Sequence, residues 1–352
     1  MNTEKYSIAF WGTPPPPIGG MNVHIERISF FLGRKGWNYV YYDFSKVKSN
    51  EKNRFEIKNL FFWYLTLWFS KSPKIHYIIT TRPFVRFLAS LLTLRRKIII
   101  LRVGGESLKK GIEEGFIASA LSKMSLKLCT SVIGVNQSIC DLASRYTKSE
   151  KVYCIPGFIP PVDKGQKAPQ EVIEFFKKSK LKIVVTGQIV SKHKNDIYGL
   201  WHIIDTFKLV KENVGILDVK CCVVSYSIEG NNIKDVENFE SEIKKFELDD
   251  MIKVYQSKGD LWPIFKESNL FIRSSTEDGD ANSLREAHFF KNRIIASDCV
   301  KRPSYSILYK TSDHEDLYLK IKNNIDLSLI NIETNIISNA ELIEKMLIEI
   351  SN

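Results

Sequence analysis

The stretch Phe271–Arg302, FIRSSTEDGDANSLREAHFFKNRIIASDCVKR, decides how the rest of the chain is read. Leu270-Phe271-Ile272 makes a short apolar strand, and Glu277-Asp278-Gly279-Asp280 an acidic glycine loop. A helix from Ser283 to about Phe290 follows, then a second apolar strand, Arg293 to Ser297. A loop that leaves a parallel strand and enters a helix presents free backbone N–H groups and the positive end of the helix dipole. That geometry suits an anion such as a diphosphate. Carboxylates in the same loop can accept hydrogen bonds from sugar or ribose hydroxyls, and anion with polyol describes a nucleotide sugar. The same residues also have a plainer reading. Ser283-Leu284-Arg285-Glu286 fits a capping box, Ser283 being the N-cap and Glu286 reaching back to its N–H.

At 352 residues the chain is long for one core, and two domains are expected. A hydrophobic content of 44% and a charged content of 26% are those of an ordinary globular protein. The excess of 51 Lys and Arg over 40 Asp and Glu, a net charge of +11, favours polyanionic partners: anionic lipid, nucleic acid or phosphorylated substrates. No aromatic-basic module for nucleic acid is present, which argues against that partner. The six cysteines show neither metal-ligand spacing nor a paired framework, so a reducing cytosol is the expected home. The start, MNTEKYSIAFWG, reads as a buried first strand rather than a signal peptide. No apolar run reaches the roughly 18 residues a bilayer span requires. The longest, Leu60 to Phe69, is rich in aromatics and flanked by Lys58, Lys71 and Lys74. It reads either as a buried helix or as a segment lying at an anionic membrane surface, with Trp63 and Trp68 as its anchors.

Upstream, Ser7 to Trp11 is an apolar strand, followed by a loop holding Pro14 to Pro17 and then Gly19-Gly20. Proline fits neither a helix interior nor a central strand, so the loop is a stiff lead into a helix from Met21 to about Arg34. Gly36 closes that helix and a strand resumes at Tyr39. The unit is the first step of an α/β domain, without the G-x-G-x-x-G fingerprint. Gly19 and Gly20 would let backbone approach a ligand closely. His24 and Glu26, near the start of the helix, are either contacts for an acceptor hydroxyl or solvated helix residues. Buried strands follow at Ile75 to Ile79 and Ile98 to Val103, with a helix around Pro83 to Leu94 between them. Arg102, at the end of the second strand, is permanently protonated and a bidentate donor. Asn136 caps a helix after the strand Ser131 to Val135. Residues 161–180 turn to Pro, Lys, Gln and Glu and read as a linker. The architecture then restarts with a strand from Leu181, a turn at Gly187-Gln188, a basic loop (Lys192, His193, Lys194) and a helix from about Tyr198. A closing helix, Asn339 to Ile350, carries one apolar face.

The run Asp278 to Ala287, followed by Ile295-Ala296-Ser297-Asp298, resembles the donor-site signature of family 4 retaining glycosyltransferases: two acids separated by seven residues, then a helix and a strand ending in Ser-Asp. The proline- and glycine-rich loop before the first helix is similar to that family's opening. Three positions depart from the pattern. The first acid, usually Glu, is Asp278; Gln188 stands where an Arg is usual; and the loop after Arg102 has no His.

The resemblance implies an α/β, GT-B fold of two Rossmann-like domains facing each other across a cleft. Residues 1–160 form the acceptor side, 161–180 a linker, 181–330 the donor side, and 331–352 a helix crossing back to the first domain. It implies transfer of a hexose from a nucleotide sugar, with retention, to a saccharide or lipid-linked saccharide in cell-surface polysaccharide, lipopolysaccharide or capsule assembly. Glu286 would hold the ribose hydroxyls, Asp278 the donor sugar and Arg102 the leaving group. The diphosphate would lie against Gly279, Asp280, Asn282 and Ser283, with Gly187, Gly19, Gly20 and either Lys192 or Lys194 alongside; His24 would meet the acceptor. No metal or other cofactor is required, and the enzyme would be cytoplasmic, peripheral on the inner face of the membrane. Two other functions fit the same residues: a nucleotide-sugar epimerase of this fold, or a catalytically degenerate partner that binds nucleotide or glycan.

Overall fold

The computed structural model describes residues 6–15, 20–45, 52–69, 72–104, 107–163, 165–192, 196–213, 219–226, 233–257, 259–278, 281–325 and 339–351. The chain forms two compact units, Met1–Pro161 with Ile337–Asn352, and Val162–Ile336.

The first unit begins β1 (Ser7–Trp11), α1 (Gly20–Arg34), β2 (Asn38–Asp43), β3 (Arg54–Glu56), α2 (Leu60–Phe69), β4 (Ile75–Ile78) and α3 (Pro83–Leu91). It continues β5 (Ile98–Val103), α4 (Ser107–Glu113), α5 (Phe116–Leu128), β6 (Ser131–Gly134), α6 (Gln137–Ser144) and β7 (Val152–Cys154). The strands are all parallel, in the order β3-β2-β1-β4-β5-β6-β7. Every residue of β4 and β5 is buried, as expected of parallel strands covered by helices on both faces. Gly36 (φ +88°) ends α1 in the left-handed conformation that glycine adopts without strain. Asn136 caps α6, its side-chain oxygen accepting the Ile139 N–H at 3.0 Å.

The phase of α2 shows which of its aromatics face the core. Trp63 points inward, its ring 4.7 Å from that of Trp11 and 4.9 Å from that of Tyr42. Trp68 packs against Tyr64 and beneath the Arg95 guanidinium. The solvent-facing aromatics are instead Phe61, Phe62 and Phe69, at 66%, 66% and 80% exposure.

The second unit holds α7 (Gln170–Phe176), β8 (Leu181–Gly187), α8 (Leu200–Asn213), β9 (Val219–Tyr226), α9 (Ile233–Lys245), β10 (Ile252–Ser257) and α10 (Trp262–Glu267). It ends with β11 (Leu270–Arg273), α11 (Asn282–Phe289), β12 (Arg293–Ser297), β13 (Ser306–Tyr309) and α12 (His314–Lys322). Its parallel sheet runs β10-β9-β8-β11-β12-β13. Helix α7 lies inside the stretch expected to be a linker. Its Val172 and Phe176 are buried against Val184, Cys222 and Val224. The segment β13–α12 had no counterpart in the reading of the sequence.

The final helix, α13 (Asn339–Ser351), returns to the first unit, as expected of the closing helix. Ala340, Ile343, Met346 and Leu347 are buried with Ile8, Phe10, Ile25 and Ile28. Asn339 fixes its start by donating to the Phe158 carbonyl at 2.6 Å.

Candidate functional site

In each sheet the strand order reverses direction once, beside β1 in the first and beside β8 in the second. In open parallel sheets ligands bind outside the carboxyl ends of the strands at such a switch point. In the second unit that place lies between the ends of β8 and β11, which pair in register Ile183 with Leu270 and Val185 with Ile272. Gly187 ends β8, Arg273 ends β11, and the acidic loop follows immediately. The loop is tied to the turn before α8: the Ser274 hydroxyl donates to the Tyr198 carbonyl at 2.8 Å, and the Thr276 N–H to the Ile197 carbonyl at 2.9 Å. Gly199 makes this approach possible. Its φ is +64°, and a Cβ there would lie 2.0 Å from the Ser274 carbonyl oxygen. Gly187 has a similar packing role, since a Cβ there would lie 2.6 Å from that of Tyr198.

Asp278 sits in a clamp of two arginines. Arg273 approaches it side-on, with Nε donating to Oδ2 at 2.9 Å and Nη2 to Oδ1 at 3.1 Å. Arg302 donates from Nη1 to Oδ2 at 2.7 Å. The Ser275 hydroxyl adds a contact at 3.1 Å. Arg302 is itself locked, its Nε donating to the Ser297 carbonyl at 2.9 Å and its Nη2 to the Ser275 and Ser297 hydroxyls. Burial pushes the Asp278 carboxyl up, but the hydrogen bonds and charges of Arg273 and Arg302 together outweigh it and hold the group below its ordinary value. The carboxylate is therefore ionised and 8% exposed, with Arg273 (12%) the more accessible member and Arg302 (1%) beneath the surface. Arg273 also lies over the Tyr198 ring, 5.4 Å from its centroid. Neither arginine was singled out from the sequence. The available signal was a charged residue closing an otherwise apolar strand, Leu270-Phe271-Ile272-Arg273.

Helix α11 bears on the capping-box reading of Ser283 and Glu286. The N-cap position is Ala281, with no side-chain cap, and Ser283 lies inside the first turn. The capping box is therefore not formed. Glu286 is buried (8%) on the face that carries Leu284 and Ala287. Asn282 Oδ1 is buried with no hydrogen-bond partner among the described residues. Gly279 and Asp280 lie outside the described residues, as do Gly19 and Lys194. Lys192 is held by Glu242 at 3.0 Å and lies over the Trp201 ring. Among the described residues no cluster of His, Cys, Asp and Glu could hold a metal ion.

In the first unit, Gly20 opens α1 and is exposed. His24 is placed differently from both expectations, being neither solvated nor open to an acceptor. It is 3% exposed, with Nδ1 2.8 Å from the Gly157 carbonyl and Nε2 3.2 Å from the Tyr77 hydroxyl. A carbonyl only accepts, so Nδ1 carries the proton and Nε2 accepts from Tyr77. Burial, then the positive charge of Arg102 and of Arg27, pushes the imidazole pKa well down, against the opposing pull of the Gly157 carbonyl. Arg102 is 6% exposed near the end of β5 and reaches the Tyr77 hydroxyl. Its Nη1 is buried without a hydrogen-bond partner among the described residues. His24, Tyr77 and Arg102 thus form one buried polar chain at the carboxyl edge of the first sheet.

No protein-family model matches the chain, and no curated protein matches it in sequence. Solved structures do match. HepE of Anabaena, in complex with UDP, superposes with a TM-score of 0.64 at 12% identity, covering 98% of this chain and 97% of that one. A glycosyltransferase from Rickettsia africae gives 0.64 at 14% identity, covering 99% of each chain. Sucrose-phosphate synthase from Thermosynechococcus elongatus gives 0.65 at 11%, again covering 99% of each. At these identities the likeness speaks for the fold, and the fold is GT-B.

Proposed function

We propose that the chain is a retaining glycosyltransferase that moves a hexose from a nucleoside diphosphate sugar to a saccharide or lipid-linked saccharide acceptor in cell-surface polysaccharide assembly. The observation that carries this reading is that the acidic loop leaves β11 at the switch point of the second sheet and leads into a helix whose N-cap, Ala281, offers no capping side chain. Glu286 holds the ribose hydroxyls. The diphosphate lies against the first turn of α11, at Asn282 and Ser283, with Arg273 supplying positive charge. The negative charge that grows on the leaving group is met by these fixed donors, which is where most of the rate acceleration arises. The reaction as proposed calls for no metal ion. Asp278 acts by holding Arg273 in place, a role that its shortness relative to Glu suits. The first unit takes the acceptor, with Arg102 at its strand edge. Retention rests on the resemblance to family 4, and a UDP sugar is the donor to try first because HepE binds UDP. The enzyme works on the cytoplasmic side.

The test is a thermal-shift series with UDP, GDP and ADP and their sugars, on the wild type and Glu286→Gln. A ligand at about 100 times its dissociation constant adds about 2.7 kcal/mol of apparent stability. One nucleotide should stabilise the wild type, and the variant should lose that gain when each protein is compared with its own melting temperature without ligand. Equal stabilisation of both proteins would remove Glu286 from the site. A second reading, a nucleotide-binding partner without turnover, draws support from the engagement of Asp278 by two arginines. Release of free sugar or transfer to any acceptor, measured with the stabilising donor, separates the two.

A further inference from the structure

All six cysteines are free thiols in the structure. Cys129, Cys221 and Cys222 are sealed in the core, and Cys299 is half-buried beside Arg302, whose Nη2 donates to its Sγ at 3.3 Å. The other two, Cys140 in α6 and Cys154 at the end of β7, are brought together by the fold of the first unit. Strands β6 and β7 pair in parallel with Gly134 opposite Cys154. Residues opposite one another in a sheet project from the same face. Gly134 has no side chain on that face, and Cys140, in the first turn of α6, takes the space. A Cβ at Gly134 would lie 2.5 Å from the Cys140 Sγ and 3.2 Å from the Cys140 backbone nitrogen. The Cys140 Sγ therefore rests on β6 directly beside the position from which the Cys154 side chain rises. Two contacts turn it towards β7: it donates to the Tyr153 carbonyl at 3.7 Å, and a hydrogen bond joins the Cys140 and Cys154 thiols.

The backbone beneath the pair is fixed on both sides. Asn136 caps α6 through the Ile139 N–H, and the Ile155 N–H, next after Cys154, donates to the Gly134 carbonyl at 2.9 Å. The two thiols differ in access. Cys154 is exposed, alone among the six, whereas Cys140 is 4% exposed. Burial, then the neighbouring Cys154 thiol, pushes the Cys140 thiol up to about 12, so Cys140 does not begin an exchange at neutral pH.

We propose that Cys140 and Cys154 form a reversible thiol–disulfide pair, in which Cys154 reacts with a low-molecular-weight disulfide such as glutathione disulfide and Cys140 resolves the product. The Cys154 thiolate attacks one glutathione sulfur, forming a mixed disulfide and releasing the other glutathione as its thiolate. Cys140 gives its proton to that thiolate or to water and attacks the Cys154 Sγ, and the second glutathione leaves. Two protein thiols are oxidised and one glutathione disulfide is reduced to two glutathione thiols. A reducing cytosol keeps the pair open, as it stands in the structure. The bond would staple α6 to the strand end that leads into Gly157 and Ile159, whose carbonyls hold His24 and Arg27. None of this depends on the transferase reading.

The full-length chain is incubated with glutathione disulfide under native conditions. Free thiols are then alkylated in denaturant and each cysteine is mapped by peptide mass, for the wild type, Cys140→Ser and Cys154→Ser. In the wild type Cys140 and Cys154 should escape alkylation, appear in one cross-linked peptide, and become alkylable again after dithiothreitol. Cys140→Ser should stop with glutathione retained on Cys154. Cys154→Ser changes an exposed position, should melt with the wild type, and should leave Cys140 fully alkylated. Three results in the wild type would overturn the proposal. They are an unmodified Cys154, glutathione retained on Cys154 with Cys140 free, and Cys154 joined to a second copy of the chain with Cys140 free.

Discussion

Replacing Asp278 with Asn keeps the shape of the side chain and removes its charge, and the two possible roles of the residue predict opposite outcomes. In the structure the carboxylate serves a bidentate Arg273 and an Arg302 whose side chain is 1% exposed. Taking one partner from a buried ion pair costs about 3–5 kcal/mol, because the remaining charge stays buried and unmatched. The substituted amide would still accept one hydrogen bond, and the Ser297 carbonyl would still hold Arg302 at 2.9 Å. The lower end, about 3 kcal/mol, is therefore expected. For a unit of this size that is about 6–12 °C in Tm. Scanning calorimetry, or denaturant unfolding followed through Trp201 and Trp262, reads the loss directly. The double variant Asp278→Asn/Arg302→Met should recover much of it, since the carboxylate and its most deeply buried partner are then removed together. The effect also depends on pH. The folded-state pKa of Asp278 is lowered, so its contribution is present above the ordinary carboxylate range and fades as pH falls through the folded value, and wild type and variant should converge in acid. If Asp278→Asn melts within about 1 °C of wild type while nucleotide-sugar binding disappears, the carboxylate is a ligand contact and the clamp argument fails.

Two further outcomes follow from buried groups. Burial, with the nearby charge of Lys97, pushes the His76 pKa down to about 3, so between about pH 6.5 and 3 the unfolded chain takes up a proton that the folded chain refuses. Stability should accordingly fall by about 2 kcal/mol between pH 7 and 5 from this residue, with His24 adding in the same direction; unfolding curves that coincide at the two pH values would contradict it. Gly199→Ala combines left-handed strain with a Cβ 2.0 Å from the Ser274 carbonyl oxygen, and should cost about 3 kcal/mol or more. A variant that melts with the wild type would mean that the 196–199 turn does not hold the acidic loop.

The parts of this molecule that could be read from its sequence are those whose signal is local. Strands such as Ile98–Val103 are apolar at nearly every position because both faces are covered, and the loop before α11 announces itself by its acids and glycine. Helix α7 escaped because four apolar residues, Val172, Ile173, Phe175 and Phe176, are set in a polar stretch whose average composition resembles a tether. His24 carried a usable clue. It stands four residues before Ile28 and eight before Leu32, on the stripe that α1 buries, so helical spacing already placed it in the core. The Asp278 clamp had no such clue, since Arg302 lies 24 positions away and meets the carboxylate only once β12 has paired beside β11. Helix α2 is the clearest case. Leu60 to Phe69 is apolar all round, so periodicity gives it no phase, and sequence alone cannot say which aromatics face in. Packing against Trp11 and Tyr42 assigns Trp63 to the core and leaves Phe61, Phe62 and Phe69 outside. A helix with a surplus of apolar residues beyond what its sheet can cover, set among exposed cations, is a physical reason to look for a surface that covers the rest.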